Sequence, residues 1–165
     1  MANKQQMQLY FAYGANLNKQ AMDRRCAGAV YAGRAKLPGH RLTFRGNDRG
    51  VGVADVVPKE NSEVLGALWW LAPEHIAALD RFEGYPYLYT REKVQVKAED
   101  GTMAEAVVYA MVRGHMELPG YGYANTILQG YRDCGLPETH LLRALAETSK
   151  GVQQACRQQK LPVRG

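Results

Sequence analysis

The chain has only three cysteines in 165 residues: Cys26, Cys134 and Cys156. The number is odd and none lies near another, which argues against a disulfide framework and against a zinc site. Serine is scarcer still, with only Ser62 and Ser149, both in polar segments. Neither sits in a GxSxG elbow, so serine hydrolysis of that type is excluded. There is no GxxxxGK[ST] phosphate loop, and "YGANL" is far from GxGxxG. The histidines His40, His75, His115 and His140 have neither HExxH nor any other metal-ligand spacing. No run approaches the ~20 apolar residues of a membrane span. The apolar part of "MANKQQMQLYFAYG" is too short for a secretion signal. The expected setting is a reduced cytoplasm, with no membrane partner, no metal and no disulfide.

What is present is ordinary for a globular chain: 46% hydrophobic and 22% charged residues. The length suits one domain spanning residues 1–165 with a real core, its C-terminal helical segment starting at about residue 137. The net charge of +5 could signal an anionic partner. The basic residues are dispersed, however, and the densest groups, "DRR" at 23–25 and "RGNDRG" at 45–50, contain acids. Nucleic acid is therefore not an expected partner.

Periodicity places the elements. "MQLYFAYG" reads as a short buried strand and "NKQAMDRRC" as a short helix. "AVYAGRAKL" and "HRLTFRG" read as two strands parted by "PG", and "GVGVADVVP" and "EVLGALWWL" as two more joined by the polar loop "KENS". "APEHIAALDRFEG" shifts to a helical period, with Pro73 at the first position, Ile76, Leu79 and Phe82 on one face, and Gly84 as the stop. "YLYTREKVQVKAE" and "MAEAVVYAMV" form a hairpin around "EDGT". "ANTILQGYRDCG" is a helix stopped by Gly135. "PETHLLRALAETSKGVQQACRQQ" is a longer one with Leu141, Leu142, Leu145 and Val152 for its apolar face. Six or seven strands with few helical interruptions predict an α+β chain. Its sheet is mixed or mainly antiparallel, closing into a small β-barrel with flanking helices, not a doubly wound sheet.

Two stretches carry chemistry. In "YGANL", residues 13–17, a glycine-containing strand-to-helix turn presents backbone N–H groups that can hold a carboxylate or an oxyanion. The competing reading is a plain turn with Asn16 as the helix cap. In "LDRFEGYPYLY", residues 79–89, Glu83 stands between Phe82 and Gly84, followed by Tyr85, Tyr87 and Tyr89. Aromatic surroundings disfavour the charged carboxylate and lift its pKa into general-base range. The alternative is an exposed acid at a helix end.

The combination of "YFAYGANL", "GVADVVP…VLGALWWL" and "LDRFEGYPYLYTREKVQV" resembles the γ-glutamylcyclotransferase-like superfamily, which includes the AIG2-like proteins. The resemblance runs from about Leu9 to Val112, and more weakly to about Leu142. It implies a small, mostly antiparallel β-barrel with flanking helices. It implies a substrate-binding loop at Tyr13, Gly14, Ala15, Asn16 and Leu17, a catalytic carboxylate at Glu83, and a substrate-side tyrosine at Tyr123, with Tyr121 the other match. Ala15 stands where the family often has serine. The implied reaction cyclises the γ-glutamyl group of a small-molecule amide to 5-oxoproline and releases an amine, with no cofactor. The alternative on the same fold is a non-catalytic module that binds a small ligand. Tyr85, Tyr87, Tyr121 and Tyr123 are candidates for lining the amine pocket.

Overall fold

The structure is a computed structural model that describes residues 6–46 and 50–160. Strand β1, Gln8–Ala12, is nearly all apolar after Gln8 because it lies between two other strands. It pairs antiparallel with β3, Gly52–Leu71, from Gln8 opposite Leu71 to Ala12 opposite Ala67, and parallel with β5, Met103–Met111. Strand β2, Val30–Gly46, pairs antiparallel with β3 and with β4, Tyr89–Ala98, and β4 pairs antiparallel with β5. The sheet order is β3-β1-β5-β4-β2-β6, and the further β3–β2 pairing closes five of these strands into a barrel. The sixth, β6 (His115–Met116), hangs on the end of β2. One parallel pair in an otherwise antiparallel barrel matches the expected α+β class.

The count of strands differs from the sequence reading for a physical reason. The two segments on either side of "PG" form one strand, β2, and those on either side of "KENS" form β3. The register slips from Pro38 opposite Glu63 to His40 opposite Pro58, so Lys59 to Ser62 bulge out opposite Gly39. Both turn signals are real, but they face each other across one long hairpin and bend it instead of ending it. The bend lets the first half of β3 curl over the barrel end. There the Met111 N–H of β5 donates to Asp55 of β3 at 2.9 Å.

Four helices flank the barrel: α1, Lys19–Arg25; α2, Pro73–Glu83; α3, Tyr121–Asp133; and α4, Glu138–Gln159. Helix α2 begins with Pro73 and ends at Gly84, whose left-handed φ of 68° closes the turn. Ile76 and Leu79 are buried, as the period predicts, but Phe82 is 52% exposed. Helix α3 starts at Tyr121, earlier than the expected Ala124, which puts Tyr123 in its first turn. Helix α4 buries Leu141, Ala144 and Thr148, while Leu142 is 57% exposed and leaves the face assigned to it. The Thr148 hydroxyl accepts from the Phe44 N–H at 3.3 Å and so docks α4 on β2. Among the described residues, no helix is long and apolar enough to cross a membrane.

Candidate active site

The site forms where β1 stops. Beyond Ala12 the chain leaves the sheet and makes a single 3-10 turn, Ala15–Leu17, before α1. The close approach of the β3 hairpin explains the glycine: a Cβ at Gly14 would sit 2.9 Å from that of Ala54. Helix α3 supports the loop from behind. Gly130 packs against Leu17 and Asn18, the Asn18 side chain donates to the Thr126 carbonyl at 3.3 Å, and Asp133 accepts from the Lys19 N–H at 3.0 Å.

A cavity of about 140 Å³ opens between these parts. Its walls include Tyr13, Gly14, Ala15 and Asn16 from the loop, Phe82 and Glu83 from the end of α2, Ala54 from β3, and Tyr123 from α3. Tyr10, Tyr89 and Tyr109 of the barrel complete an aromatic lining. Most of the expected site residues therefore share one cavity. Leu17 does not line it: its side chain is fully buried in the core, and its N–H donates to the Gly14 carbonyl at 3.0 Å. Tyr121 is 88% exposed and Tyr87 85% exposed, and neither they nor Tyr85 reach the cavity.

Asn16 is not the helix cap. Asn18 holds that place, its side chain accepting from the Ala21 N–H at 2.9 Å. Asn16 is instead buried with both ends of its amide bonded: it donates to the Tyr10 hydroxyl at 2.9 Å and accepts from Arg25 at 2.6 Å. An arginine can only donate, so this pairing fixes which way the amide points. The tyrosines are held as firmly. The Tyr13 hydroxyl donates to the Tyr109 carbonyl at 2.5 Å, and the Tyr89 hydroxyl to the Ala54 carbonyl at 3.1 Å. The Tyr109 hydroxyl donates to Asp80 at 2.6 Å. The Tyr123 hydroxyl accepts from the Ala54 N–H at 3.1 Å, which leaves its own proton to donate.

The cavity holds one acid, Glu83. Burial pushes its carboxyl up to about 7, against a smaller downward pull from the Arg25 guanidinium. Burial likewise raises the phenols, Tyr123 to about 12 and Tyr10, Tyr13 and Tyr89 further, so they stay neutral hydrogen-bonding groups. The residues that sequence reasoning passed over are Tyr10, Tyr109 and Arg25. Tyr10 and Tyr109 were hidden among ordinary strand aromatics, and Arg25 in a run with mixed charge.

A model of the family described as "Gamma-glutamyl cyclotransferase, AIG2-like" matches residues 10–125. The chain is 30% identical over 137 residues to a γ-glutamylcyclotransferase of Bos taurus, covering 78% of this chain and 72% of the other. It is 29% identical over 140 residues to one of Mus musculus, covering 80% and 74%. A solved γ-glutamyl cyclotransferase superposes with a TM-score of 0.77 at 25% identity, over 84% of this chain and 86% of the other. The matched segment contains the Gly14 loop, Glu83 and Tyr123 together, and on that shared span the chain belongs to the γ-glutamyl cyclotransferase, AIG2-like family.

Proposed function

We propose that the protein is a cyclotransferase that closes the γ-glutamyl group of a small γ-glutamyl amide to 5-oxoproline and releases the amine. One observation carries the reading. A single carboxyl poised at about 7 shares a small tyrosine-lined cavity with the backbone turn at Tyr13–Asn16. The curated relatives bear the name of this activity.

The chemistry needs little more. The substrate's own α-amine is the nucleophile, so folding the substrate back on itself brings the reacting atoms together, and positioning supplies much of the rate. Glu83 takes a proton from the α-ammonium. The freed nitrogen attacks the γ-carbonyl carbon, and a new C–N bond forms. The tetrahedral oxyanion is met by N–H groups of the Gly14 turn and the Tyr123 hydroxyl. Glu83 returns its proton to the leaving nitrogen as the old amide C–N bond breaks, then takes the second proton from the new lactam nitrogen and passes it to the freed amine, which departs as an ammonium. One carboxyl suffices because each proton it takes from the attacking nitrogen is one that the leaving nitrogen needs.

The test is 5-oxoproline release from a panel of γ-glutamyl amides, with Glu83→Gln as control. The expected result is turnover of at least one amide, falling about 10²–10⁴-fold in the folded variant. Absence of turnover across the panel, with one amide still raising the melting temperature, would favour a binding module instead.

A further inference from the structure

Arg25 lies outside the cavity lining, yet it touches two parts of the site. It comes from the last turn of α1 and is half-buried. One of its nitrogens bonds the Asn16 amide at 2.6 Å, and its guanidinium carbon stands 3.9 Å from the centre of the Phe82 ring. Phe82 adjoins Glu83 at the end of α2. A planar guanidinium suits such a place, since it stacks on an aromatic face while its edge donates hydrogen bonds. Among the described residues Arg25 forms no ion pair with any carboxylate. The carboxylate acting on its charge is that of Glu83.

We propose that Arg25 is a positioning residue: it clamps the Gly14 turn to the Glu83 end of α2 and keeps a positive charge behind the Glu83 carboxyl. The assignment of a part in the cyclisation rests on the function proposed above, but the clamp and the field do not. The titratable groups that share the cavity with Glu83 are Tyr10 of β1, Tyr13 of the loop, Tyr89 of β4, Tyr109 of β5 and Tyr123 of α3, all neutral phenols, and Arg25 of α1 is the charge that acts on it. Asp80, one turn earlier on α2, is already paired with Arg91 at 2.5 Å, and Asp55 with Arg45 at 3.0 Å. Arg24 and Asp23 beside Arg25 are exposed to solvent. Arg25 is thus the side chain whose loss alters the charge balance at Glu83 most directly. The arrangement also links two tasks, because the same guanidinium that steadies the loop through Asn16 helps the carboxyl to release its proton.

The experiment follows the Glu83 carboxyl directly, by carbon NMR of glutamate-labelled protein assigned with Glu83→Gln, and needs no turnover. Arg25→Gln removes the charge while keeping a donor for Asn16. Its titration midpoint is expected to rise by about 0.5–1 pH unit. The acid limb of kcat/KM should move with it. Arg25→Lys keeps the charge but not the planar stack, so its midpoint should stay near that of the wild type while KM rises. In the unaltered protein, the Arg25 side-chain nitrogen signal should titrate with the Glu83 midpoint and stop doing so in Glu83→Gln. That measurement stands even where Arg25→Gln does not fold. A midpoint unmoved in folded Arg25→Gln, or an Arg25 signal blind to Glu83, would overturn the proposal. A protein without cyclotransferase activity but with the expected shifts would overturn only the function.

Discussion

A carboxyl of ordinary acidity is a poor partner for an ammonium at neutral pH, since it holds a proton too weakly to take one and give it back. Burial at the end of α2 corrects this for Glu83 by raising it to about 7. Two outcomes follow at this scale. In the proposed cycle the base form must be present for the first proton transfer, so kcat/KM should climb with pH through about 7 and level off above it; a pH–rate profile checks this. The same shift carries a stability cost with a definite sign. The folded state binds a proton that the unfolded chain, near its ordinary 4.5, has released. Stability from this group is therefore full below 4.5 and is lost as pH rises through 7. Glu83→Gln removes the penalty. It should unfold at higher urea than the wild type at pH 8, by about 3 kcal/mol at most, and lose that advantage toward pH 4.5. Equal stabilities at pH 8 would mean that the carboxyl is not held in a dry place.

At the scale of elements, the loop is only as well placed as the helix behind it. Gly130 lies inside α3, where alanine ordinarily stabilises by up to about 1 kcal/mol. Here a Cβ would stand 2.6 Å from the Asn18 nitrogen and the Leu17 Cβ, and 2.7 Å from the Leu17 carbonyl carbon. Backbone cannot yield as a flexible side chain can, so the sign reverses. Gly130→Ala should destabilise by about 1–3 kcal/mol in thermal unfolding and lower activity by moving the loop and Tyr123 apart. Helix α2 was legible in the sequence because Pro73, Ile76, Leu79 and Gly84 each fall where a helix needs them. The role of Gly130 was not, since its reason lies in a segment more than a hundred residues away. Asn16 and Asn18 show the same limit. Both precede a helix and both can cap, but only the observed hydrogen bonds tell the cap from the loop clamp.

At the scale of the molecule, the bent hairpin closes the barrel end under the cavity, and Asp55 fastens it. Its carboxylate, fully buried in β3, accepts from the Val56 and Met111 N–H groups and pairs with Arg45 of β2. Burial raises its carboxyl, while these bonds pull it back down. Arg45 in turn donates to the Gly114 carbonyl at 2.6 Å, so three strands and a loop meet on one ion pair. Asp55→Ala would strand a charge and two buried donors together. A loss of about 3 kcal/mol or more is expected in urea unfolding, far beyond an ordinary surface substitution. The sequence reading took "VADVV" only as part of a strand and passed over Asp55, because its partners Met111 and Arg45 come from other strands.

Local chemistry in the chain alone determined the strand that breaks at Gly14, the helix that delivers Glu83, the barrel class and the two motifs, because periodicity, turn residues and motif spacing act over short separations. The tertiary structure decided that "PG" and "KENS" bend one hairpin instead of ending four strands. It turned Leu17 into the core, and it chose Tyr123 over Tyr121 and Tyr10 and Tyr109 over Tyr85 and Tyr87 for the cavity. It also stacked Arg25 on Phe82, next to Glu83 in the chain. These outcomes depend on which surfaces meet across the barrel, and burial, which fixes both packing and pKa, exists only once they have met.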